Sequence, residues 1–289
     1  MKHVLVTGAN GLLGRSVCKH LIRRNILVTA VVHNKSLLNI NEQEPLVLDL
    51  ASSWDQKRLP NKVDAVICLA QSSRFREFPS SALDVFNVNV ASTAQLLDYA
   101  RRVGAKKFIY ASSGGVYGNG SQAFNENAAI ISPGQLGYYL GSKACGEILV
   151  ESYASLFQVT IIRPFFVYGP GQKRSMLIPR LVDSVASKKP ISLQGSKGIQ
   201  INPVHVEDAS VAVVAALDTN ASATYNIAGP DVLSIRQISE AIGEHLGIVP
   251  TFQKAEGTPN DLIADISLMR KQLWKPKFKL LESLSDVTI

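Results

Sequence analysis

The N-terminal segment carries the feature that most restricts the fold. A short apolar strand, His3 to Thr7, leads directly into three glycines separated by two residues each, Gly8, Gly11 and Gly14, and a helical pattern begins at Leu12. Gly8 permits a tight turn, Gly11 lets backbone N–H groups approach a pyrophosphate, and Gly14 lets the helix pack closely on the strand. Such spacing also occurs by chance among 20 glycines, and an ordinary turn is the alternative. The strand before the glycines and the helix after them favour a dinucleotide-binding turn.

Short apolar strands alternate with helix-length segments along the first half of the chain. This order predicts a parallel sheet covered by helices on both faces, which is an α/β doubly wound (Rossmann) fold. After Arg163, prolines punctuate shorter elements, which indicates a second, smaller substrate-binding lobe. We expect a dinucleotide-binding domain over residues 1–165, to which later segments can return, and the smaller lobe over residues 166–289. The predicted strands are His3 to Thr7, Leu27 to Val32, Leu46 to Leu48, Ala65 to Leu69, Phe108 to Ala111 and Val159 to Ile162, and the predicted helices are Leu12 to Arg24, Ala82 to Val103, Ser142 to Phe157, Val206 to Leu217 and Ser234 to Leu246.

Composition excludes several other classes of protein. The 289 residues are 46% hydrophobic and 18% charged, as in globular proteins, and no apolar run is long enough to span a bilayer. The three cysteines are widely separated within apolar segments, which favours reduced thiols, a cytoplasmic location and no metal site. The net charge of +7 comes with no basic tract, so we expect no nucleic-acid partner and no membrane partner.

The end of the second predicted strand bears on the choice of cofactor. It lacks the Asp or Glu that would bind the 2′-hydroxyl of an adenosine ribose, and it carries His33 and Lys35 instead. Cationic side chains can receive a 2′-phosphate, so the sequence predicts NAD(P) as cofactor and favours NADP over NAD. The alternative is that both residues are ordinary exposed side chains.

A catalytic set is expected at the carboxyl edge of the sheet. Tyr139 and Lys143 are four residues apart on a predicted helix and therefore share one face. A nearby ammonium and a positive nicotinamide would lower the pKa of the tyrosine and allow proton exchange with a substrate hydroxyl. The strand that begins at Phe108 ends in Ser112 and Ser113, where a doubly wound sheet places its active site. Ser113 could bind the reacting oxygen, whereas Ser112 reads as a strand-end hydroxyl satisfied by the backbone.

Together these motifs resemble the extended short-chain dehydrogenases of the NAD-dependent epimerase/dehydratase family. The residues that carry the resemblance are Gly8-x-x-Gly11-x-x-Gly14, Asn89-Val90-x-x-Thr93, Ser112-Ser113-Gly-Gly-Val-Tyr-Gly118, Tyr139-x-x-x-Lys143, Arg163-Pro-Phe-Phe-Val-Tyr-Gly-Pro170, Asn202-Pro-Val-His-Val-Glu-Asp208, Tyr225-Asn-Ile227 and Trp274-Lys-Pro276. The resemblance implies that Tyr139 is the acid/base, that Lys143 binds the nicotinamide ribose and that Ser113 is the catalytic serine. It also implies cofactor contacts at Asp49, Leu50, Leu69, Ala70, Gln71, Arg163 and Pro164, and substrate contacts at Ser113, Gly114, Phe166 and Gln200.

The sequence departs from the family pattern at several of these positions. Phe166 stands where the family often has Asn, and Gln200 or Ile201 falls where many members carry an Arg near the nucleotide phosphates. Gly114 and Gly115 occupy the positions of the Asp-Glu pair of 4,6-dehydratases. Asp49 could equally be a strand-end cap.

The resemblance implies an NAD(P)-dependent enzyme that acts on a nucleotide-linked sugar. We expect a C4 epimerase or a 4-keto reductase and not a 4,6-dehydratase, because glycine supplies neither the acid nor the base that elimination needs. The alternative is a non-catalytic NAD(P)-binding regulator or scaffold. A homodimer is expected because two predicted helices are apolar around much of their circumference, at Phe86, Val90, Leu97, Ile148 and Leu149.

Overall fold

A computed structural model describes residues 1–34 and 44–288 of the chain. Its strands follow the apolar runs of the sequence, because strands that are covered on both faces are apolar nearly throughout. The strands are β1 (His3–Thr7), β2 (Leu27–Val32), β3 (Leu46–Val47), β4 (Ala65–Cys68), β5 (Lys107–Ala111), β6 (Gln158–Pro164), β7 (Val167–Tyr168), β8 (Ile191–Gln194), β9 (Gln200–Ile201), β10 (Val204–His205), β11 (Ala223–Ile227), β12 (Leu233–Ser234) and β13 (Phe252–Ala255).

The helices connect these strands and cover the faces of the main sheet. Ser234 and Gln237 form a capping box that starts one of them, since each side chain accepts a hydrogen bond from the backbone N–H of the other residue. The helices are α1 (Leu12–Arg23), α2 (Ala82–Phe86), α3 (Ser92–Arg102), α4 (Pro133–Glu151), α5 (Leu177–Ala186), α6 (Val206–Ala215), α7 (Ile235–Leu246), α8 (Ser267–Gln272) and α9 (Ser285–Thr288).

The main sheet has seven parallel strands in the order β11-β6-β5-β4-β1-β2-β3. The order reverses between β1 and β4, and a doubly wound sheet binds its ligands at the carboxyl edge of such a switch point. One apolar cluster covers one face, where α1 and α6 pack together, and a second covers the other face beneath α3 and α4. The predicted α/β doubly wound fold is therefore confirmed.

The smaller lobe is built from short paired strands and has its own core. Strand β12 pairs with β9, and β13 pairs with β8, around an apolar cluster that includes α5 and α7. The chain nevertheless returns to the main sheet, because β11 lies beside β6 and extends the sheet at its edge. The domain boundary near residue 165 stays a prediction, and β11 and α6 are the later segments that rejoin the dinucleotide-binding part.

Two predicted helices differ from the observed ones. The helix predicted over Ala82 to Val103 is divided into α2 and α3 by a π-helical segment, Asn87–Ala91. Helix α4 starts nine residues before the predicted Ser142 and ends at Glu151. Its first turns contain Gly137, whose φ of 65° is left-handed and interrupts the pattern from which a helix is predicted.

Two further properties concern the part of the chain that the structure describes. None of its helices has the length and apolarity needed to cross a bilayer. It also brings together no group of three or more His, Cys, Asp or Glu side chains that could hold a metal ion.

Candidate active site

The glycine turn fits closely against its neighbours. Gly8 has a φ of 68°, and a Cβ there would lie 2.8 Å from the backbone nitrogen of Ala70. A Cβ on Gly14 would lie 2.1 Å from the carbonyl oxygen of Gly8, so neither position accepts a side chain. No side chain of the described residues caps the start of α1 after Gly11. The first N–H groups of α1, beginning at Leu12, are therefore available to an anion, as a pyrophosphate site requires.

The strand ends beside this turn place an acid next to a histidine. The Nδ1 atom of His33 lies 3.2 Å from Oδ1 of Asp49, and both side chains are exposed. Asp49 also accepts a hydrogen bond from the backbone N–H of Ala51 at 3.0 Å, so it serves as a strand-end cap as well. Leu50 is buried in the core, which leaves only its main chain to contact a cofactor. The predicted contact at Lys35 lies outside the described residues.

The loop after β4 connects the glycine turn to Tyr139, the predicted acid/base. The backbone N–H of Ala70 donates to the Thr7 hydroxyl at 3.3 Å, and Leu69 packs against the core. Gln71 is exposed, and its Oε1 accepts a hydrogen bond from the Tyr139 hydroxyl at 3.0 Å. The structure thus brings the predicted residue Gln71 directly to the predicted acid/base.

Ser113 lies at the carboxyl end of β5, in front of a short helical turn, Gly114–Tyr117. Its hydroxyl accepts a hydrogen bond from the backbone N–H of Gly115 at 3.2 Å, which fixes the side chain at the sheet edge. The neighbouring Ser112 is buried, and its hydroxyl has no hydrogen-bond partner among the described residues. The expectation that the backbone would satisfy Ser112 is therefore wrong, because its Oγ reaches no main-chain acceptor.

Tyr139 and Lys143 lie one turn apart on α4. The Lys143 ammonium is fully buried and donates to the carbonyl oxygen of Ala111 at 2.8 Å. Burial lowers the pKa of Lys143 to about 8, against the opposing charges of Cys68 and Glu147. Both side chains therefore lie at the carboxyl edge of β5, where the sequence places the active site.

The pKa of Tyr139 differs from the sequence interpretation. Burial raises the pKa of Tyr139 to about 12, and the Ser113 hydroxyl and the charge of Arg76 act in the opposite direction. The Lys143 ammonium donates its hydrogen bond to the carbonyl oxygen of Ala111 and not to Tyr139. Lys143 is not among the groups that lower the pKa of Tyr139, so the lowering expected from its ammonium is not observed, and the Tyr139 hydroxyl is protonated at pH 7.

Asn89 holds α4, the helix of Tyr139 and Lys143, against the loop after β4. It lies in the π-helical segment and is buried, and its Oδ1 accepts from the backbone N–H of Ser72 at 3.1 Å. Its Nδ2 donates to the Ser142 hydroxyl at 2.9 Å, and Ser142 in turn donates to the carbonyl oxygen of Tyr139 at 2.7 Å. One amide therefore holds both sides of the site, which the Asn89 motif alone did not predict.

Arg163 makes a buried ion pair below the site. Its Nη2 lies 2.6 Å from Oε2 of Glu147, and its Nε lies 2.9 Å from Oε1 of the same carboxylate. Its Nη1 donates to the Tyr117 hydroxyl at 2.7 Å, and that hydroxyl donates to Asn226 at 2.8 Å. The guanidinium is thus committed to protein partners. The cofactor contacts predicted at Arg163 and Pro164 stay predictions, and they can involve only the main chain of Arg163.

The predicted substrate residues lie in different surroundings. Phe166 has a φ of 45°, an uncommon conformation for a bulky residue, and it packs between the core of the main sheet and that of the smaller lobe. Gln200 is held by Asp261, whose carboxylate accepts from its backbone N–H at 2.7 Å and from its side-chain amide at 3.0 Å. Ile201 is fully buried. At these positions Phe166 and Ile201 are apolar, and the side-chain amide N–H of Gln200 is bound to Asp261.

The loop that packs on Tyr139 contains residues that sequence reasoning missed. The Phe75 ring lies 4.8 Å from the Tyr139 ring, and the Arg76 guanidinium lies 5.0 Å from the Phe75 centroid. The Phe78 ring stacks on Tyr138 at 4.9 Å. No motif marks this loop, and its arginines look like ordinary exposed residues in the sequence.

The comparison with known proteins agrees with this arrangement. The model of the NAD dependent epimerase/dehydratase family matches residues 4–228. A UDP-glucuronate 4-epimerase of Thermodesulfobacterium geofontis is 26% identical over 98% of this chain and 94% of its own length. A dTDP-D-glucose 4,6-dehydratase of Mus musculus is 29% identical over 83% of this chain and 72% of its own length.

Solved structures of such proteins share the whole fold. The UDP-glucuronic acid 4-epimerase of Bacillus cereus, in complex with UDP-glucuronic acid and NAD, matches with a TM-score of 0.87 at 26% identity, covering 99% of this chain and 98% of that one. The family match includes the glycine turn, Ser113, Tyr139, Lys143 and Arg163. The chain belongs to the NAD-dependent epimerase/dehydratase family of extended short-chain dehydrogenases.

Proposed function

We propose that the chain is an enzyme that epimerises C4 of a nucleotide-linked sugar or reduces a 4-keto sugar of that kind. The observation that carries the proposal is the meeting of three side chains at one sheet edge. Ser113 lies at the carboxyl end of β5, the buried Lys143 ammonium donates to the carbonyl oxygen of Ala111 at the end of the same strand, and Tyr139 lies one helical turn from Lys143. The Ser113 hydroxyl also lowers the pKa of Tyr139. The relatives named above act on nucleotide-linked sugars by their printed names, which supports this substrate class.

A nicotinamide dinucleotide fits the residues present. The turn excludes any Cβ at Gly8 and Gly14, and α1 offers uncapped N–H groups to a pyrophosphate. When bound, the nicotinamide supplies the acceptor and donor of hydride. His33 and Lys35 favour NADP, but Asp49 beside His33 would repel a 2′-phosphate, and the Bacillus cereus structure contains NAD. We therefore propose NAD, to be tested by comparing the Kd values of both dinucleotides.

The chain's own residues can transfer the proton to and from the reacting sugar oxygen. Tyr139 is a neutral acid in the free protein, since burial raises its pKa to about 12. The Ser113 hydroxyl is placed to bind the reacting oxygen, and Tyr139 exchanges a proton with that oxygen. The phenolate of Tyr139 would be favoured by a positive charge beside it, and Tyr139 would then act as the base toward a substrate hydroxyl. The buried Lys143 ammonium is placed to orient a ribose hydroxyl.

The surroundings of Gly114 and Gly115 argue against a 4,6-dehydratase activity. A Cβ on Gly114 would lie 2.4 Å from Cε2 of Phe165, and a Cβ on Gly115 would lie 2.9 Å from Cδ2 of Leu140. The space that an acidic pair would need is therefore filled by apolar side chains. A non-catalytic regulator is the second candidate, and the intact Ser113, Tyr139 and Lys143 set argues against it.

We further propose a homodimer in the cytoplasm. Phe86 and Ile148 are 46% and 64% exposed, and Leu83 of α2 is 76% exposed, so apolar side chains lie on the outer face of these helices. Leu97, which the sequence also suggested for this face, packs in the core. The three cysteines are free thiols, which fits a reducing compartment.

The proposal is tested with the purified protein and three probes, UDP-glucuronate, UDP-glucose and a UDP-linked 4-keto sugar. Each is incubated without added cofactor and then with NADH, and the products are analysed by NMR. Inversion at C4 without added cofactor identifies an epimerase. Consumption of NADH with a 4-keto sugar identifies a reductase. A 4-keto-6-deoxy product would contradict the assignment, and no turnover with bound NAD would favour the regulator.

A further inference from the structure

The loop that follows β4 bridges the two lobes beside the catalytic tyrosine. Its Phe75 ring rests on Tyr139, and the Arg76 guanidinium rests on the Phe75 ring. From there Arg76 reaches the smaller lobe, where Nη1 donates to the carbonyl oxygen of Ser175 at 3.1 Å and Nη2 lies 3.8 Å from the Met176 sulfur. Met176 is the residue immediately before α5, so the arginine lies where the two lobes meet.

The bonding of Arg76 is incomplete. A guanidinium has five N–H donors, and only two contacts to neutral acceptors are made within the described residues. No carboxylate of those residues lies within ion-pair distance of it, in contrast to Arg174 in the same region, which pairs with Asp183. The charge of Arg76 nevertheless acts on Tyr139, because it lowers the pKa of that hydroxyl against the effect of burial.

We propose that Arg76 binds an oxyanion of the substrate and so makes the enzyme selective for anionic sugars. A guanidinium with unused donors matches the geometry of a carboxylate or a phosphate in a bidentate pair. In a nucleotide-linked uronic acid the sugar carboxylate is close to C4, where Tyr139 must act, and the diphosphate lies on the other side of the ring. This inference rests on the proposed function and identifies the class of its substrate.

A second consequence follows from the position of Arg76. An anion on the guanidinium would neutralise the charge that now lowers the pKa of Tyr139. A substrate with a carboxylate at this point therefore keeps Tyr139 protonated more strongly than a neutral sugar does. The acid limb of the kcat profile should therefore lie at higher pH for a charged substrate sugar than for a neutral one.

The test compares Arg76→Gln and Arg76→Lys with the matched control Arg74→Gln. Arg74 is an exposed arginine of the same loop whose guanidinium has no hydrogen bond or ion pair with the described residues. The Kd values of UDP-glucuronate, UDP-glucose and UDP are measured by calorimetry on the NAD-loaded protein, together with KM and kcat where turnover occurs. Because a charge-assisted pair is removed, Arg76→Gln should raise the relevant Kd by about 10- to 100-fold.

The ligands that lose affinity in the Arg76 variants identify the oxyanion that Arg76 binds. If the sugar carboxylate is bound, only UDP-glucuronate is weakened, and Arg76→Lys recovers part of its affinity. If the diphosphate is bound, all three ligands are weakened alike; Arg76 then binds an oxyanion, but the selectivity for anionic sugars is overturned. Affinities within twofold of the Arg74→Gln control for every ligand would overturn the inference. Absence of any turnover by the wild-type protein would instead count against the proposed function, since the binding measurements test Arg76 independently.

Discussion

The buried ammonium of Lys143 should reduce the stability of the folded chain. We predict that Lys143→Met abolishes turnover and yet raises the free energy of unfolding of the cofactor-free protein at pH 7. Lys143 is 1% exposed and has no carboxylate within ion-pair distance among the described residues. Methionine keeps the apolar stem and removes the charge, so the cost of burying an ion disappears.

The magnitude follows from the pKa. Burial lowers the pKa of Lys143 from 10.5 to about 8, a difference of 10.5 − 8 = 2.5 units. At about 1.4 kcal/mol per unit, keeping Lys143 charged costs the folded state about 3 kcal/mol. The lost hydrogen bond from Nζ to the Ala111 carbonyl offsets about 1 kcal/mol. The variant should therefore be more stable than the wild type by about 2 kcal/mol at pH 7.

The pH dependence has a definite sign. The folded-state pKa lies below the unfolded one, so between pH 8 and 10.5 the unfolded chain binds more protons at this site, and wild-type stability rises with pH in that window. The advantage of the variant should be complete below pH 8 and should shrink as the pH approaches 10.5. Urea unfolding at pH 7 and pH 10 measures it, with Lys106→Met at an exposed lysine as control. A destabilised variant at pH 7, or an advantage that does not change with pH, would refute this reasoning.

Three further changes have expected outcomes. Tyr139→Phe should reduce kcat by about 100- to 10,000-fold and leave the calorimetric Kd of NAD within about twofold; wild-type turnover would disprove the acid/base role. Ile148→Arg places a charge on a side chain that is 64% exposed on α4 and should give monomers in light scattering, unless the wild type is already monomeric, which would contradict the homodimer. Glu147→Gln should lower the free energy of unfolding by about 3–5 kcal/mol and shift the alkaline limb of the kcat profile to lower pH.

The sequence predicted the fold where its pattern is physically unambiguous. Continuous apolar runs can form only doubly covered strands in such an alternation, so β1 and β4 to β6 were predicted within three residues of their observed ends. The return of β11 to the sheet was not readable, because its pairing with β6 joins segments about 60 residues apart. The start of α4 was missed because Gly137 leaves the helical conformation within it.

The candidate site was predictable only where a motif carries its chemistry. The positions of Ser113, Tyr139 and Lys143 follow from a strand end and a helical spacing, which are local patterns. The partners of Arg163 are not local: Glu147 lies 16 residues away and Tyr117 lies 46 residues away. The family resemblance suggested a cofactor contact at Arg163, whereas its side chain binds partners inside the protein. Arg76 has no motif at all, and only its contacts across the two lobes distinguish it from Arg74.

Glu147 belongs to the buried ion pair and also acts on Lys143, the proposed catalytic lysine, so its substitution tests both roles. Its carboxylate neutralises Arg163, and both side chains are less than 10% exposed, so Glu147→Gln leaves an unpaired buried charge. The same carboxylate raises the pKa of Lys143. Its removal should lower that pKa further, so the ammonium is lost at lower pH and kcat declines earlier on the alkaline side. Glu151→Gln, one turn further along α4 and exposed, is the matched control. In a double variant, Glu147→Leu with Arg163→Met, much of the stability should return because no buried charge remains, whereas the alkaline limb should stay displaced. An alkaline limb that returns with stability would show that Glu147 acts only through folding.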